Sequence, residues 1–140
     1  MSAVLDASVF VAAISPSERH HEQALGLFES QPDEVSYLVP SIFRVEVVSA
    51  FARRGESRDF LELVDALVRG PRFYAHAVDG LIDEATQVAR DAGLRAYDAV
   101  YAALARIQGA ELFTLDEDLV TRLERGAPDL RLRTSGNPRS

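Results

Sequence analysis

The sequence of 140 residues predicts an α/β fold in three layers, a central parallel sheet of four to five strands with helices on both faces. Three observations carry that prediction. Ala3-Val4-Leu5 is a short unbroken apolar run, the pattern of a strand buried on both faces inside a parallel sheet. Comparable runs recur at 35–39, 73–78 and 112–115. One or two helix-length segments separate each run from the next, as the crossover connections of a parallel sheet require.

The elements follow in chain order. After the first strand, 8–14 reads as a short helix stopped by Ser15-Pro16-Ser17. A second helix, 18–29, carries Ala24, Leu25 and Phe28 on one face and ends at Gln31-Pro32-Asp33. The strand 35–39 is closed by Pro40, and Ser41 is placed to cap a helix over 42–53. Ser57 caps an amphipathic helix bearing Leu61, Leu63, Val64, Leu67 and Val68, with Gly70-Pro71 as its stop. The strand 73–78 leads to a helix capped by Asp79 that runs to Ala92 and ends at Gly93. The helix 97–108 ends at Gly109. A fourth strand over 112–115, a helix over 116–125 and an edge strand over 130–133 complete the domain, 1–134. Residues 135–140 are expected to form a flexible tail.

Composition excludes several chemistries. There is no cysteine, so neither a thiolate metal site nor a thiol nucleophile is available. All 15 basic residues are arginine, and without lysine there is no Walker loop. No serine sits in a GxSxG elbow, and His20, His21 and His76 lack HExxH spacing and read as surface residues. No run is long enough to span a bilayer and no signal peptide is visible, so a cytoplasmic location is expected. The net charge of −7 opposes non-specific affinity for phosphate backbones, so nucleic-acid binding would need a local arginine patch or bound cations.

Four acids stand out. Asp6 ends the first strand, at the sheet edge where open α/β folds place their sites; it is equally suited to cap the next helix. Glu46 sits in a helix apolar nearly all round (Val45, Val47, Val48, Phe51), which predicts a buried carboxylate that must be paired or hold a metal. Asp98, in the first turn of its helix, meets the positive end of the helix dipole; Ala102 and Ala105 share its side, and periodicity leaves its role open. Asp116 follows a strand as Asp6 does and also suits a cap. Thr114 precedes it by two residues and Asp118 follows by two. An all-oxygen cluster of this kind suits hard cations such as Mg²⁺ or Mn²⁺, which activate water and stabilise phosphoryl transition states.

Val4-Leu5-Asp6-Ala7-Ser8, Pro40-Ser41-Ile42-Phe43-Arg44-Val45-Glu46, the run from Gly93 through Tyr97-Asp98-Ala99-Val100-Tyr101 to Ala105, and Phe113-Thr114-Leu115-Asp116 resemble the successive motifs of PIN-domain ribonucleases. In length and motif order the chain is similar to the VapC-type toxins of toxin–antitoxin pairs, from Val4 to about Arg133. The resemblance implies a PIN-like domain in which Asp6, Glu46, Asp98 and Asp116 bind Mg²⁺ or Mn²⁺ and cleave RNA. It further implies Thr114 as helper, a homodimer, and silencing by a small antitoxin protein. The T-x-D spacing favours Asp116 over Asp118 as the fourth acid, with Asp118 a second helper. Arg44 and Arg95, beside the acids, are candidates to contact substrate phosphates; ordinary solvated surface is the plainer reading of each.

Two rival functions remain open. A catalytically silent module of this fold would grip a basic protein partner through its acidic pocket, which suits the negative charge. Receiver-like or dehalogenase-like phosphotransfer also uses a strand-end Asp, but normally with a lysine that this chain lacks.

Overall fold

In the computed structural model, which describes residues 2–135, the first apolar run forms β1 (Ala3–Leu5), buried along its whole length. It lies at the centre of a five-stranded sheet, between β2 (Tyr37–Pro40) and β4 (Glu111–Phe113). Outside these lie β3 (Phe73–His76) and β5 (Leu132–Arg133), giving the order β3-β2-β1-β4-β5 with every pairing parallel. The chain therefore builds outward from β1 to one edge, then returns to its other side to add β4 and β5. The carboxyl ends of β1 and β4 flank the resulting switch point, the crevice where ligands bind in open α/β sheets.

Among the described residues, seven α-helices connect the strands: α1 (Ala7–Ala13), α2 (His21–Glu29), α3 (Phe43–Arg53), α4 (Arg58–Val68), α5 (Ile82–Ala92), α6 (Ala96–Gln108) and α7 (Glu117–Gly126). An aromatic cluster ties α1, α2 and α3 to the sheet. Phe43 packs 5.3 Å from Phe73, Phe10 lies 5.3 Å edge-on to Phe73, and Phe28 lies 5.3 Å from Tyr37. The helix α6 packs on β1, β2 and β4, with Ala99 through Ala105 all buried. Gly126, in α7, meets α5 backbone to backbone: a Cβ built there would lie 2.5 Å from Ala92 Cα and 2.6 Å from Asp91 O. No helix among the described residues is long and apolar enough to cross a membrane.

The helix stops Gly93 and Gly109 are as expected, both left-handed C-caps with φ of 68° and 62°. Ser57 caps α4 through Phe60 N–H. Other boundaries differ from the sequence reading. The second helix begins at His21, because tight turns (Glu18 N–H to Ser15 O, His21 N–H to Glu18 O) wind the preceding residues. Ser41 does not cap α3; its N–H extends the sheet instead, bonding His76 O at 2.8 Å. Asp79 lies in a separate 3₁₀ turn, Val78–Leu81, and its side chain caps neither that turn nor α5. The helix α3 is not buried all round: Phe43, Val47 and Phe51 form one buried stripe, while Val45 is 60% exposed on the outer face. His21 is not free surface either, since its Nδ1–H reaches Ala12 O at 2.8 Å and fastens the start of α2 to α1. Of the expected tail, residues 136–140 lie outside the described residues.

Candidate active site

Asp6 sits where β1 becomes α1. Its backbone N–H continues the ladder to Phe113 O at 3.1 Å, so the sheet itself fixes the position of the residue. Its side chain caps α1, accepting from Ser8 N–H at 3.4 Å and from the Ser8 hydroxyl at 3.1 Å. Capping and site placement are thus compatible. A third bond comes from across the switch point, where the Thr114 hydroxyl donates to Asp6 Oδ2 at 3.0 Å. Thr114, just beyond β4, is fully buried. Its oxygen also accepts the Asp116 N–H at 3.2 Å, and Asp116 in turn caps α7 through Leu119 N–H at 3.1 Å. One hydroxyl therefore joins the two strand-end acids.

The other two acids arrive on helices. Asp98, in the first turn of α6, accepts from Arg95 Nε at 3.2 Å, and the same guanidinium reaches Asp116 Oδ2 at 3.6 Å. Glu46 projects from α3 and accepts the Tyr101 hydroxyl at 2.6 Å. It is not locked in a core ion pair.

These groups feel one another's charge. Burial pushes the Asp6 carboxyl above its ordinary 3.8, against the pull of the Thr114 and Ser8 bonds, and the charge of Asp98 adds to the rise. Burial likewise raises Glu46, opposed by the Tyr101 bond and assisted by Asp6 and Asp98. Burial also raises Asp98, opposed by Arg95 and assisted by Asp116 and Asp118. Repulsion thus links Asp6, Glu46 and Asp98 to one another, and Asp98 to Asp116 and Asp118.

The other candidates are placed differently. Arg44 turns to α4, where it forms a two-pronged pair with Asp65 at 2.6 and 3.0 Å. Arg95 spans two of the acids with its side chain 83% exposed. Asp118 is exposed and pairs with Arg122 at 2.8 Å. A cleft of about 670 Å³ is lined by Ser8, Glu46, Asp116 and Asp118, and also by Arg19, His20 and Arg54. Of the four acids, Glu46 and Asp116 line this cleft; Asp6 and Asp98 lie behind it, Asp6 bonded to the lining Ser8 and Asp98 linked to the lining Asp116 by Arg95. The sequence reading passed over Tyr101, Arg19 and Arg54. Tyr101 carried a signal, its place one turn after Asp98 on the same helix; the two arginines carried none, because the folding of α1, α2 and α3 brings them there.

Among the described residues, no three of these acids stand as a ready-made ion cage. The donor set nonetheless fits a hard cation, being all carboxylate and hydroxyl oxygen, and Arg95 is the guanidinium that meets Asp98 and Asp116.

The chain is similar to several known proteins. It is 27% identical over 126 residues to the ribonuclease VapC3 of Pyrobaculum aerophilum, covering 87% of this chain and 95% of that protein. The fold is similar to that of VapC20 of Mycobacterium tuberculosis, described as a toxin that cleaves the sarcin-ricin loop. That match has a TM-score of 0.68 at 18% identity, over 85% of this chain and 93% of the other. It is also similar to a chain of a toxin–antitoxin complex from Klebsiella pneumoniae, with a TM-score of 0.62 at 18% identity, over 91% and 94% of the two chains. The PIN domain family model matches residues 3–125, nearly the whole described chain, and the protein belongs to the PIN-domain family.

Proposed function

We propose that this protein is a metal-dependent endoribonuclease and the toxin of a toxin–antitoxin pair. The observation that carries the reading is the Thr114 bridge between Asp6 and Asp116 at the switch point, with Asp98 and Glu46 electrostatically coupled to Asp6. The kinship with a ribonuclease, matched over 95% of its length, supports it.

Asp6, Glu46, Asp98 and Asp116 would hold Mg²⁺ or Mn²⁺, which when bound would polarise a water and the phosphoryl oxygen. The chain's own residues do the rest. Thr114 fixes Asp6 relative to Asp116. Ser8 holds both oxygens of Asp6 in place. Arg95 neutralises the acids in the metal-free protein and is free to turn to a substrate phosphate, since its side chain is largely in solvent. Arg44 would serve RNA only by leaving Asp65. As partners we infer the RNA substrate, a small antitoxin protein and a second copy of the chain in a homodimer, in the cytoplasm.

One observation favours a silent binding module instead. The cleft also holds Glu18, Glu117 and Asp118, giving it more acids than bases, which suits a basic protein segment. Single-turnover cleavage of structured and single-stranded RNAs with Mn²⁺ separates the two readings, run beside thermal melts on wild type and Asp98→Asn. The nuclease reading expects cleavage by wild type and a loss of orders of magnitude in the variant with the fold retained. If Asp98 serves only the helix dipole, the variant loses about 0.3–1 kcal/mol of stability and no activity. Wild-type protein, freed of inhibitor and inert on every RNA, would favour the binding module.

A further inference from the structure

Three of the four acids are held by local geometry. Asp6 and Asp116 are helix caps, and Asp98 is gripped by Arg95 three residues away. Glu46 is different: it lies in the first turn of α3 without capping that helix, and its carboxylate receives one hydrogen bond among the described residues. That bond comes from Tyr101. The tyrosine is 2% exposed, so its hydroxyl is withdrawn from solvent. The single hydroxyl proton is thus directed to Glu46 Oε1.

Tyr101 follows Asp98 by one helical turn on α6. A single buried hydroxyl thus ties the Glu46 carboxylate to the helix that carries Asp98. We propose that Tyr101 is a positioning residue of the cation site, holding Glu46 in the orientation in which it binds the ion. The inference rests on the metal-nuclease reading. It assigns Tyr101 the kind of role by which outer groups orient metal ligands, whose loss typically costs about 10–100-fold in metal affinity.

The alternative is a tyrosine that only fills the core and meets a convenient acceptor. Mn²⁺ titration by calorimetry distinguishes them, on wild type, Tyr101→Phe, Glu46→Ala and the double variant, each accompanied by a thermal melt. Positioning predicts Mn²⁺ binding weakened about 10–100-fold in Tyr101→Phe. It also predicts no further weakening when Tyr101→Phe is added to Glu46→Ala, and RNA cleavage largely recovered at saturating Mn²⁺. Tyr101→Met, also lacking the hydroxyl, serves as a second variant in case the phenylalanine form does not fold. Wild-type Mn²⁺ affinity in a folded hydroxyl-free variant overturns the positioning role and leaves the nuclease reading intact. Absence of Mn²⁺ binding by the wild-type protein overturns the metal reading, and this inference with it.

Discussion

The Thr114 hydroxyl lies 3.0 Å from Asp6 Oδ2, across 108 residues of sequence. Because the same oxygen receives the Asp116 N–H, replacing it leaves a buried acceptor and a buried donor short of partners at once. Thr114→Val keeps the shape and removes the bridge. Its expected cost is about 1–3 kcal/mol, read as a lower urea midpoint at unchanged slope. Thr114→Ser keeps the hydroxyl and should lose only about 1 kcal/mol, the cost of one buried methyl. Equal midpoints for the valine variant and wild type would show that the bridge adds nothing to stability.

The site acids reverse the usual dependence of stability on pH. Asp6, Glu46 and Asp98 all sit above their ordinary values of 3.8, 4.5 and 3.8 in the folded protein. Between each ordinary value and its raised one, the native state binds more protons than the unfolded state, so stability falls as pH rises through that window. Metal-free protein should therefore melt higher as pH is lowered from neutral toward the ordinary carboxylate range. Below about 3.8 the trend turns, because Asp65 and Asp129 are lowered by Arg44 and Arg106 and lose that support on protonation. Saturating Mn²⁺ should remove the slope near neutrality, since an ion favours the charged carboxylates. A melting temperature that rises steadily with pH through the carboxylate range in the metal-free protein would contradict this assignment.

Arg95 stands between Asp98 and Asp116, where it neutralises the acids that would meet an ion. Arg95→Gln removes that competitor. Mn²⁺ binding should tighten modestly, because pairs involving an exposed side chain are typically worth about 1 kcal/mol or less, or a few-fold in affinity. RNA binding measured with Ca²⁺ in place of Mn²⁺ should weaken, and its salt dependence should shallow by about one phosphate contact. A variant with unchanged RNA affinity and salt slope would return Arg95 to plain surface.

Much of this architecture could be read from the sequence because its signals are local. The strands are short apolar runs that stop at an acid or a proline, and Gly93 and Gly109 mark helix ends that only a left-handed residue closes easily. Asp6 and Asp116 could be singled out because each follows a strand directly. Glu46 was singled out on a partly mistaken ground, since Val45 faces solvent and α3 buries one stripe. Asp98 could not be resolved on a wheel because α6 is buried nearly all round between Ala99 and Ala105, so periodicity carries little information there. The partners were hidden for a different reason. Nothing near Arg44 in sequence announces Asp65, 21 residues on in another helix, and nothing near Tyr101 names Glu46, 55 residues away, as its acceptor.

The strand order also sets a schedule. β1 is synthesised first, but β4, which pairs with its free side and leads directly into Thr114, is nearly the last strand made. A growing chain that has not reached residue 114 cannot close the bond that joins Asp6 to Asp116. At roughly 5–20 residues per second of translation, the 108 intervening residues take about 5–20 s. Under the proposed nuclease reading, the nascent chain lacks both Thr114 and Asp116 throughout that interval, beside the message and ribosome that are making it. The same order means that a chain truncated anywhere before Thr114 is released without the hydroxyl that joins the two strand-end acids.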